Sequence, residues 1–237
     1  MQTNKVSADE GWVWYASGWK FFIRDPGVQI VYLLIILLIS IGLALVPLVG
    51  GLVLVLITPV LAGGWFHALR ELDSGHDIGI GTLFEGFGNR VWTGPLIVLG
   101  VLMLAAEFLI GIVGITAMSG SVLGYMETMQ AAEMPPLPGL GMLIGLFIIL
   151  VLSALFFMAL FYAVPLIQFQ GAAPLAAMQS SFSASLQNIG ALTVFGLVYL
   201  VLAFFAAIPF ALGFLVLVPV SVAAAYNSYK SVYGVVP

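Results

Sequence analysis

Cysteine is absent from this chain, which excludes disulfides, thiolate metal sites, iron–sulfur clusters and cysteine nucleophiles, and leaves the redox compartment unread. Charge is nearly as scarce. Only 7% of the 237 residues are charged, against roughly a quarter in an ordinary soluble domain. The net charge of -4 argues for neither a nucleic-acid partner nor a strongly basic lipid-binding surface. The two histidines, His67 and His76, lie nine residues apart without carboxylates at ligand spacing, so no metal site is expected. Glycine-rich phosphate loops, catalytic triads and paired carboxylates are also missing, so the sequence points to no enzyme activity and no cofactor. The N-terminal segment has no small-residue cleavage site after an apolar run, so the first span is expected to act as its own insertion signal.

What the chain has is apolar sequence, at 62%. A membrane helix needs about 20 predominantly apolar residues to cross roughly 30 Å of hydrocarbon, and six stretches qualify: 28–46, 52–69, 96–118, 142–164, 191–207 and 212–229. The expected fold is therefore an all-α integral membrane domain of six transmembrane helices, occupying 1–237 as a single unit. Pro59, Pro165 and Pro219 are expected to kink the even-numbered spans by removing a backbone N–H, either as hinges of a moving transporter or as fixed bends that shape the bundle. Gly141-x-x-x-Gly145 is read as a close-packing site between helices.

Three polar-apolar stretches precede the hairpins. The first opens with a Ser7-x-x-Glu10 capping pattern and carries Trp12, Tyr15, Ala16, Trp19, Phe22 and Ile23 at helical spacing. The second opens with Thr82-x-x-Glu85, and the third with Pro174, followed by Leu175, Met178, Phe182, Leu186 and Ile189 on one face. Each is expected to be an interfacial amphipathic helix leading into a hairpin. A shift of 162 lays Pro47 and Gly51 on Pro209 and Gly213. After a two-residue deletion, Pro59-Val60, Phe66 and Arg70 fall on Pro219-Val220, Tyr226 and Lys230. These matches divide the chain into three repeat-like units, about 7–70, 82–170 and 174–230, the second with an external loop at about 119–141. In that loop Val122, Tyr125, Met126 and Met129 suggest a short interfacial helix ahead of Pro135-Pro136-Leu137-Pro138.

Lys5, Lys20, Arg24, Arg70, Arg90 and Lys230 all fall on one side of the six-span arrangement, which predicts both termini in the cytoplasm. Trp12, Trp14, Trp19, Trp65 and Trp92 gather at the same face and are expected to be interfacial anchors.

Glu107 is the sharpest residue. It lies near the middle of the third span, where an ionised side chain costs several kcal/mol and no Lys or Arg is at comparable depth. It is either a proton- or cation-binding site or contact to a partner subunit, or a neutral carboxyl bonded to a carbonyl or to Ser153, Tyr162 or Tyr199.

Gly11-Trp12, Gly18-Trp19, Phe21-Phe22, Pro26, Pro47, Gly50, Pro59-Val60, Gly63, Leu72-Asp73-x-Gly75 and Leu83-Phe84-x-Gly86-Phe87 resemble an uncharacterised family of bacterial six-helix inner-membrane proteins. So do Ile208-Pro209, Leu212-Gly213, Pro219-Val220 and Tyr226-x-x-Tyr229 near the other end. More distantly, the plan is similar to the membrane domain of some glycerophosphodiester phosphodiesterases. The resemblance implies the fold and a bacterial inner-membrane location; its motifs supply no activity. Taken together, these features predict an accessory, assembly or stabilising subunit of a larger membrane complex, whose partners are membrane lipids and other membrane-protein subunits. The alternatives are a small proton- or cation-coupled transporter or channel using Glu107, and a lipid-binding protein.

Overall fold

The structure, a computed structural model, describes residues 3–88, 90–130 and 139–234. All regular elements in them are helical: α1 (Glu10–Phe22), α2 (Pro26–Ala44), α3 (Val49–Asp73), a 3-10 helix (Ile80–Phe84), α4 (Glu85–Gly88), α5 (Arg90–Gln130), α6 (Leu140–Leu160), α7 (Ala163–Gln170), α8 (Pro174–Gln187), α9 (Ile189–Ala207) and α10 (Phe214–Tyr233).

Among the described residues five helical stretches are long and apolar enough to cross a membrane: Pro26–Ala44, Val49–Asp73, Val91–Ser119, Leu140–Gln170 and Ile189–Ala207. The sixth expected span, α10, falls short, because its second half carries Tyr226, Asn227, Ser228, Tyr229 and Lys230. It is also well enclosed, burying Val220, Ala223, Ala224, Tyr226 and Tyr229 among others. A helix surrounded by protein has no need of an apolar surface toward lipid.

The first and last hairpins close alike. Leu48 (φ 64°) and Ala211 (φ 63°) take the left-handed conformation at the turns. One helix then crosses the other so closely that Gly50 has no room for a Cβ against Leu43, nor Gly213 against Ala206. The packing counterpart of Gly213 is therefore Gly50, not Gly51, around which a Cβ would meet open space.

Each short helix packs on the second helix of the hairpin before it, in a cycle. α1 leans on α10 and α9, with Gly18 against the backbone of Val220 and Ala224. The 3-10 turn and α4 lie on α3, where Gly64 meets the Leu83 backbone and Gly86 meets Val60. α8 lies on α6. The ring is sealed at the chain ends. Asn188 accepts from Val6 N–H at 2.8 Å and donates to the Asn4 carbonyl at 3.0 Å, while Asn4 N–H bonds Val232 O at 2.7 Å.

α8 buries a face of small and polar residues, Ala177, Ser181, Ala184 and Ser185, and turns Leu175 and Leu186 outward, as Ile189 at the start of α9 also turns. The reason lies beneath it. The chain breaks between α6 and α7 ahead of Pro165, which sits in the first turn of α7, where its missing N–H needs no partner. Pro165 is thus a helix starter beside a break rather than a kink within one helix, whereas Pro59 and Pro219 do lie inside α3 and α10. At the break, Ser181 Oγ accepts from Tyr162 N–H at 3.0 Å and donates to Met158 O at 2.7 Å. Those are the two groups an unbroken helix would pair directly, so the hydroxyl is inserted into the ladder.

α5 continues unbroken to Gln130, so the expected external loop is helical over its first half. Its Pro135-Pro136-Leu137-Pro138 segment lies outside the described residues, and so do the side chains of Val122, Tyr125 and Met129.

Candidate functional site

Two features stand out from the packed bundle, and both involve α6. The first is the far part of the α5–α6 hairpin. Along 105–119 and 140–155 the buried residues are Gly114 and Gly145, each pressed against the opposite helix, Gly114 on Ile149 and Gly145 on Met118. Every other side chain there is exposed or half-exposed, so this pair of helices forms an arm without support from the rest of the bundle.

The register of α5 on α3 places the arm. The two run antiparallel, with Gly63 facing Leu96 and Trp92 and Gly100 facing Leu56. Continued at 1.5 Å per residue, the same register brings Glu107 about level with the start of α3 at Val49, beside the outer hairpin turns and not halfway across the bundle. α5 then runs on for 23 residues to Gln130, about 35 Å of helix. The whole helix has 41 residues and measures about 62 Å, roughly twice a hydrocarbon layer.

Glu107 stands at the root of this arm with its side chain exposed. It lines a recess of about 410 Å³ with Ile110, Gly111, Ser153, Phe156, Phe157 and Leu160. The recess holds no basic residue and no second titratable group. Ser153 is the one expected hydrogen-bonding candidate that reaches it. Tyr162 is instead buried in the bundle, where its hydroxyl accepts from Ser228 at 3.2 Å, and Tyr199 lines the second feature.

That second feature is a partly open cavity of about 670 Å³ between α2, α3, α6, α9 and α10. Its walls are apolar except for Thr58, Trp65, Tyr199 and Ser221. Thr58 and Ser221 each donate to their own helix at 2.7 Å, to Leu54 O and Leu217 O. Phe157 lines both this cavity and the Glu107 recess.

The five tryptophans do not share one role. Trp12 and Trp19 are exposed, whereas Trp14, Trp65 and Trp92 are 2%, 3% and 7% exposed and belong to the core. The expectation that all five are interfacial anchors is corrected accordingly: the inward face of α1 carries Trp14 onto Phe195 at 6.2 Å, and Trp65 meets Tyr32 edge-on at 5.8 Å.

The basic residues cluster at the end where α3 and α10 finish. Asp73 pairs with Lys230 and accepts from Tyr226 Oη at 3.2 Å. Arg24 donates to Leu72 O at 2.8 Å, and the Arg70 guanidinium lies 5.1 Å from the centre of the Phe169 ring. His67 and His76 sit 2.9 Å from Glu85 and Glu71 respectively. Among the described residues no group of three or more His, Asp or Glu side chains is placed to hold a metal. The Asp73–Lys230 pair and the Ser181 bridge were not foreseen.

A probable inner membrane protein of Burkholderia thailandensis is 28% identical to this chain over 251 residues, an alignment covering 99% of the chain and 92% of that protein. No protein-family profile matches, and no solved structure matches. This full-length likeness and the apolar helices support a multi-pass protein of the inner membrane; neither links the chain to glycerophosphodiester phosphodiesterases.

Proposed function

We propose that the chain is a non-enzymatic accessory or assembly subunit of a larger inner-membrane complex, and that it receives a partner membrane subunit along the α5–α6 arm. The observation that carries this reading is the exposed Glu107 carboxyl at the root of an apolar arm that the bundle leaves uncovered. Lipid tails are as apolar as leucine, so exposed leucines alone would call for no partner. An arm that outreaches the neighbouring hairpins is different, because the lipid around the bundle does not extend to its tip. Beside the outer hairpin turns, the exposed Glu107 carboxyl is accessible to a partner's side chain. A partner helix carrying a basic or hydroxyl side chain opposite Glu107 would satisfy the carboxyl, and its apolar face would cover residues such as Phe108, Ile115 and Phe147.

In this reading α10 is the sixth span, tolerated despite its polar second half because the other helices surround it, and the basic end with both termini faces the cytoplasm. Proton- or cation-coupled transport draws less support, since the Glu107 recess contains no second group to relay a proton. Extraction from the native membrane in mild detergent, followed by mass spectrometry, tests the proposal. Defined integral-membrane subunits are expected to co-purify and to be lost in Glu107→Lys. A strictly monodisperse chain with no companions contradicts it.

A further inference from the structure

We infer that the turns closing the first and last hairpins, 45–49 and 208–212, are surfaces for lipid acyl chains. They end inside the hydrocarbon of the leaflet farther from the basic end and do not emerge into water there. Among the described residues the α5–α6 arm alone passes out of the membrane on that side.

The composition of the turns is one ground. From Ile41 to Ile57 and from Leu200 to Val220 no side chain carries a nitrogen or an oxygen. At the turns these side chains stand clear of the protein: Leu45 is 79% exposed, Leu48 90% and Phe210 97%. Turns in water commonly use Asn, Asp and Ser, whose side chains bond the backbone; here only Pro and Gly are used. The outer part of the arm has the polar residues that the turns lack, with Ser119, Ser121, Glu127, Thr128 and Gln130.

Backbone hydrogen bonding is an independent ground. Hydrocarbon offers no partner to an N–H, so a chain that turns inside it must pair those groups itself. Every N–H from Phe210 to Leu217 bonds a carbonyl between Ala206 and Gly213, at 2.9–3.2 Å. In the first turn Val46 N–H bonds Leu43 O, Val49 N–H bonds Pro47 O and Gly50 N–H bonds Val46 O, at 2.7–2.9 Å, with Leu48 the exception. Pro47 and Pro209 have no N–H to satisfy.

Length agrees. Gly18 seats α1 on Val220 and Ala224, and α1 turns Trp12 and Trp19 outward, as a helix in the membrane interface does. From Ala224 back to Ala211 is 13 residues, about 20 Å even for an upright helix. The 3-10 turn seats Leu83 on Gly64, which is 16 residues from Leu48, about 24 Å. Both fall short of the roughly 30 Å hydrocarbon layer. From Leu96, beside Gly63, α5 covers 30 residues to Met126, about 45 Å, and clears that layer. Because Glu107 is about level with Val49, the partner proposed for the arm would meet it inside the membrane. The placement of the turns does not rest on that partner.

The chain has no cysteine, so single thiols test the placement directly. Leu48→Cys, Phe210→Cys and Met126→Cys, all at exposed positions, would be made in the full chain. Nanodiscs of palmitoyl-oleoyl phosphatidylethanolamine and phosphatidylglycerol leave both membrane faces open to a membrane-impermeant maleimide. A thiol in apolar surroundings forms the reactive thiolate reluctantly, so the two turn variants are expected to react at least about tenfold more slowly than Met126→Cys. Leu45→Cys and Leu212→Cys serve if either of the first pair fails to fold. Nitroxides on the same thiols separate lipid from protein surroundings. At the turns, collisions with oxygen are expected to exceed those with a water-soluble nickel chelate, and at Met126→Cys the reverse. Turn thiols that react as fast as Met126→Cys, or that the chelate reaches, would overturn the inference. So would low access to both oxygen and chelate, the mark of a turn covered by protein. The isolated chain carries no partner in the nanodisc, so such a failure leaves the reading of the arm standing.

Discussion

The core of the bundle and the α5–α6 arm are built from the same kinds of residue to opposite ends. In the core, glycines let helices touch backbone to backbone, as Gly18 does on α10 and Gly64 on the 3-10 turn. Serine and asparagine close the hydrogen-bond breaks, as Ser181 and Asn188 do. In the arm, Gly114 and Gly145 still allow close approach, but the nearest atoms are those of flexible side chains, Ile149 and Met118, and the leucines and phenylalanines around them face outward. The core is complete in itself. The arm has one satisfied face and one left over, and its one ionisable group among the described side chains, Glu107, is on the part left over.

The largest separation between the two regions should come from glycine replacement. A Cβ at Gly64 collides with the Leu83 backbone, whereas one at Gly111 in the arm meets nothing within 4 Å. Gly64→Val is expected to destabilise by about 3 kcal/mol or to abolish folding, at or beyond the upper end of overpacking effects, while Gly111→Val leaves the thermal midpoint in detergent within error. Comparable losses at both positions would show that the arm is packed as tightly as the core.

Ser181→Ala comes next. It strands Tyr162 N–H, while Met158 O keeps its bond from Ser185 Oγ at 3.1 Å, in a site where Ser181 is fully buried. A loss of about 2 kcal/mol is expected, within the range for stranding buried polar groups. Ser153→Ala, on an exposed arm position, should change stability by less than about 0.5 kcal/mol. Thermal unfolding of the two variants side by side measures the difference.

How far the sequence anticipated these regions follows from which forces each depends on. Apolar run length depends on the membrane alone, so five of the spans could be read directly. The Pro-Val pairs also marked second helices correctly, since Pro59 and Pro219 lie inside α3 and α10. Burial was harder to foresee. Tryptophan is at home both at an interface and in a core, so nothing local distinguishes Trp19 from Trp14. The apolar stripe of Leu175, Met178, Phe182, Leu186 and Ile189 was legible, but Leu175 and Leu186 face outward while Met178 packs on the core, a division set by the α6–α7 break beneath α8, a contact between distant segments. For Glu107, an apolar run of 29 residues gave no sign that helix register would place the carboxyl beside the outer turns. The cavity had no sequence signal at all, because it arises from what five helices fail to fill together.

The Asp73–Lys230 pair tests whether the core's polar groups matter individually. The two side chains are 12% and 20% exposed and join the ends of α3 and α10, with Tyr226 adding a hydrogen bond to the same carboxylate. Removing one partner strands the other charge, which in a fully buried pair costs about 3–5 kcal/mol; residual exposure reduces the expectation for Lys230→Met to about 1–2 kcal/mol. The double variant Asp73→Leu with Lys230→Met should recover part of that loss, and a double-variant cycle on thermal midpoints gives the coupling directly. Additive losses would mean the pair contributes no more than two surface charges.

Glu107→Gln should have the smallest effect on stability and the most informative one on association. The carboxyl is exposed and pairs with no basic group lining its recess, so the isolated protein is expected to unfold within about 0.5 kcal/mol of the wild type. In the membrane the same change removes the charge a partner would recognise. Recovery of co-purifying subunits is therefore expected to fall about tenfold, the scale of one lost polar contact worth 1.4 kcal/mol. A core residue would show the reverse, with stability falling first and association only as a consequence. If Glu107→Gln instead destabilised the isolated chain while leaving its companions in place, the carboxyl would belong to the packing of the hairpin, and the arm would have to be read as a part of the core.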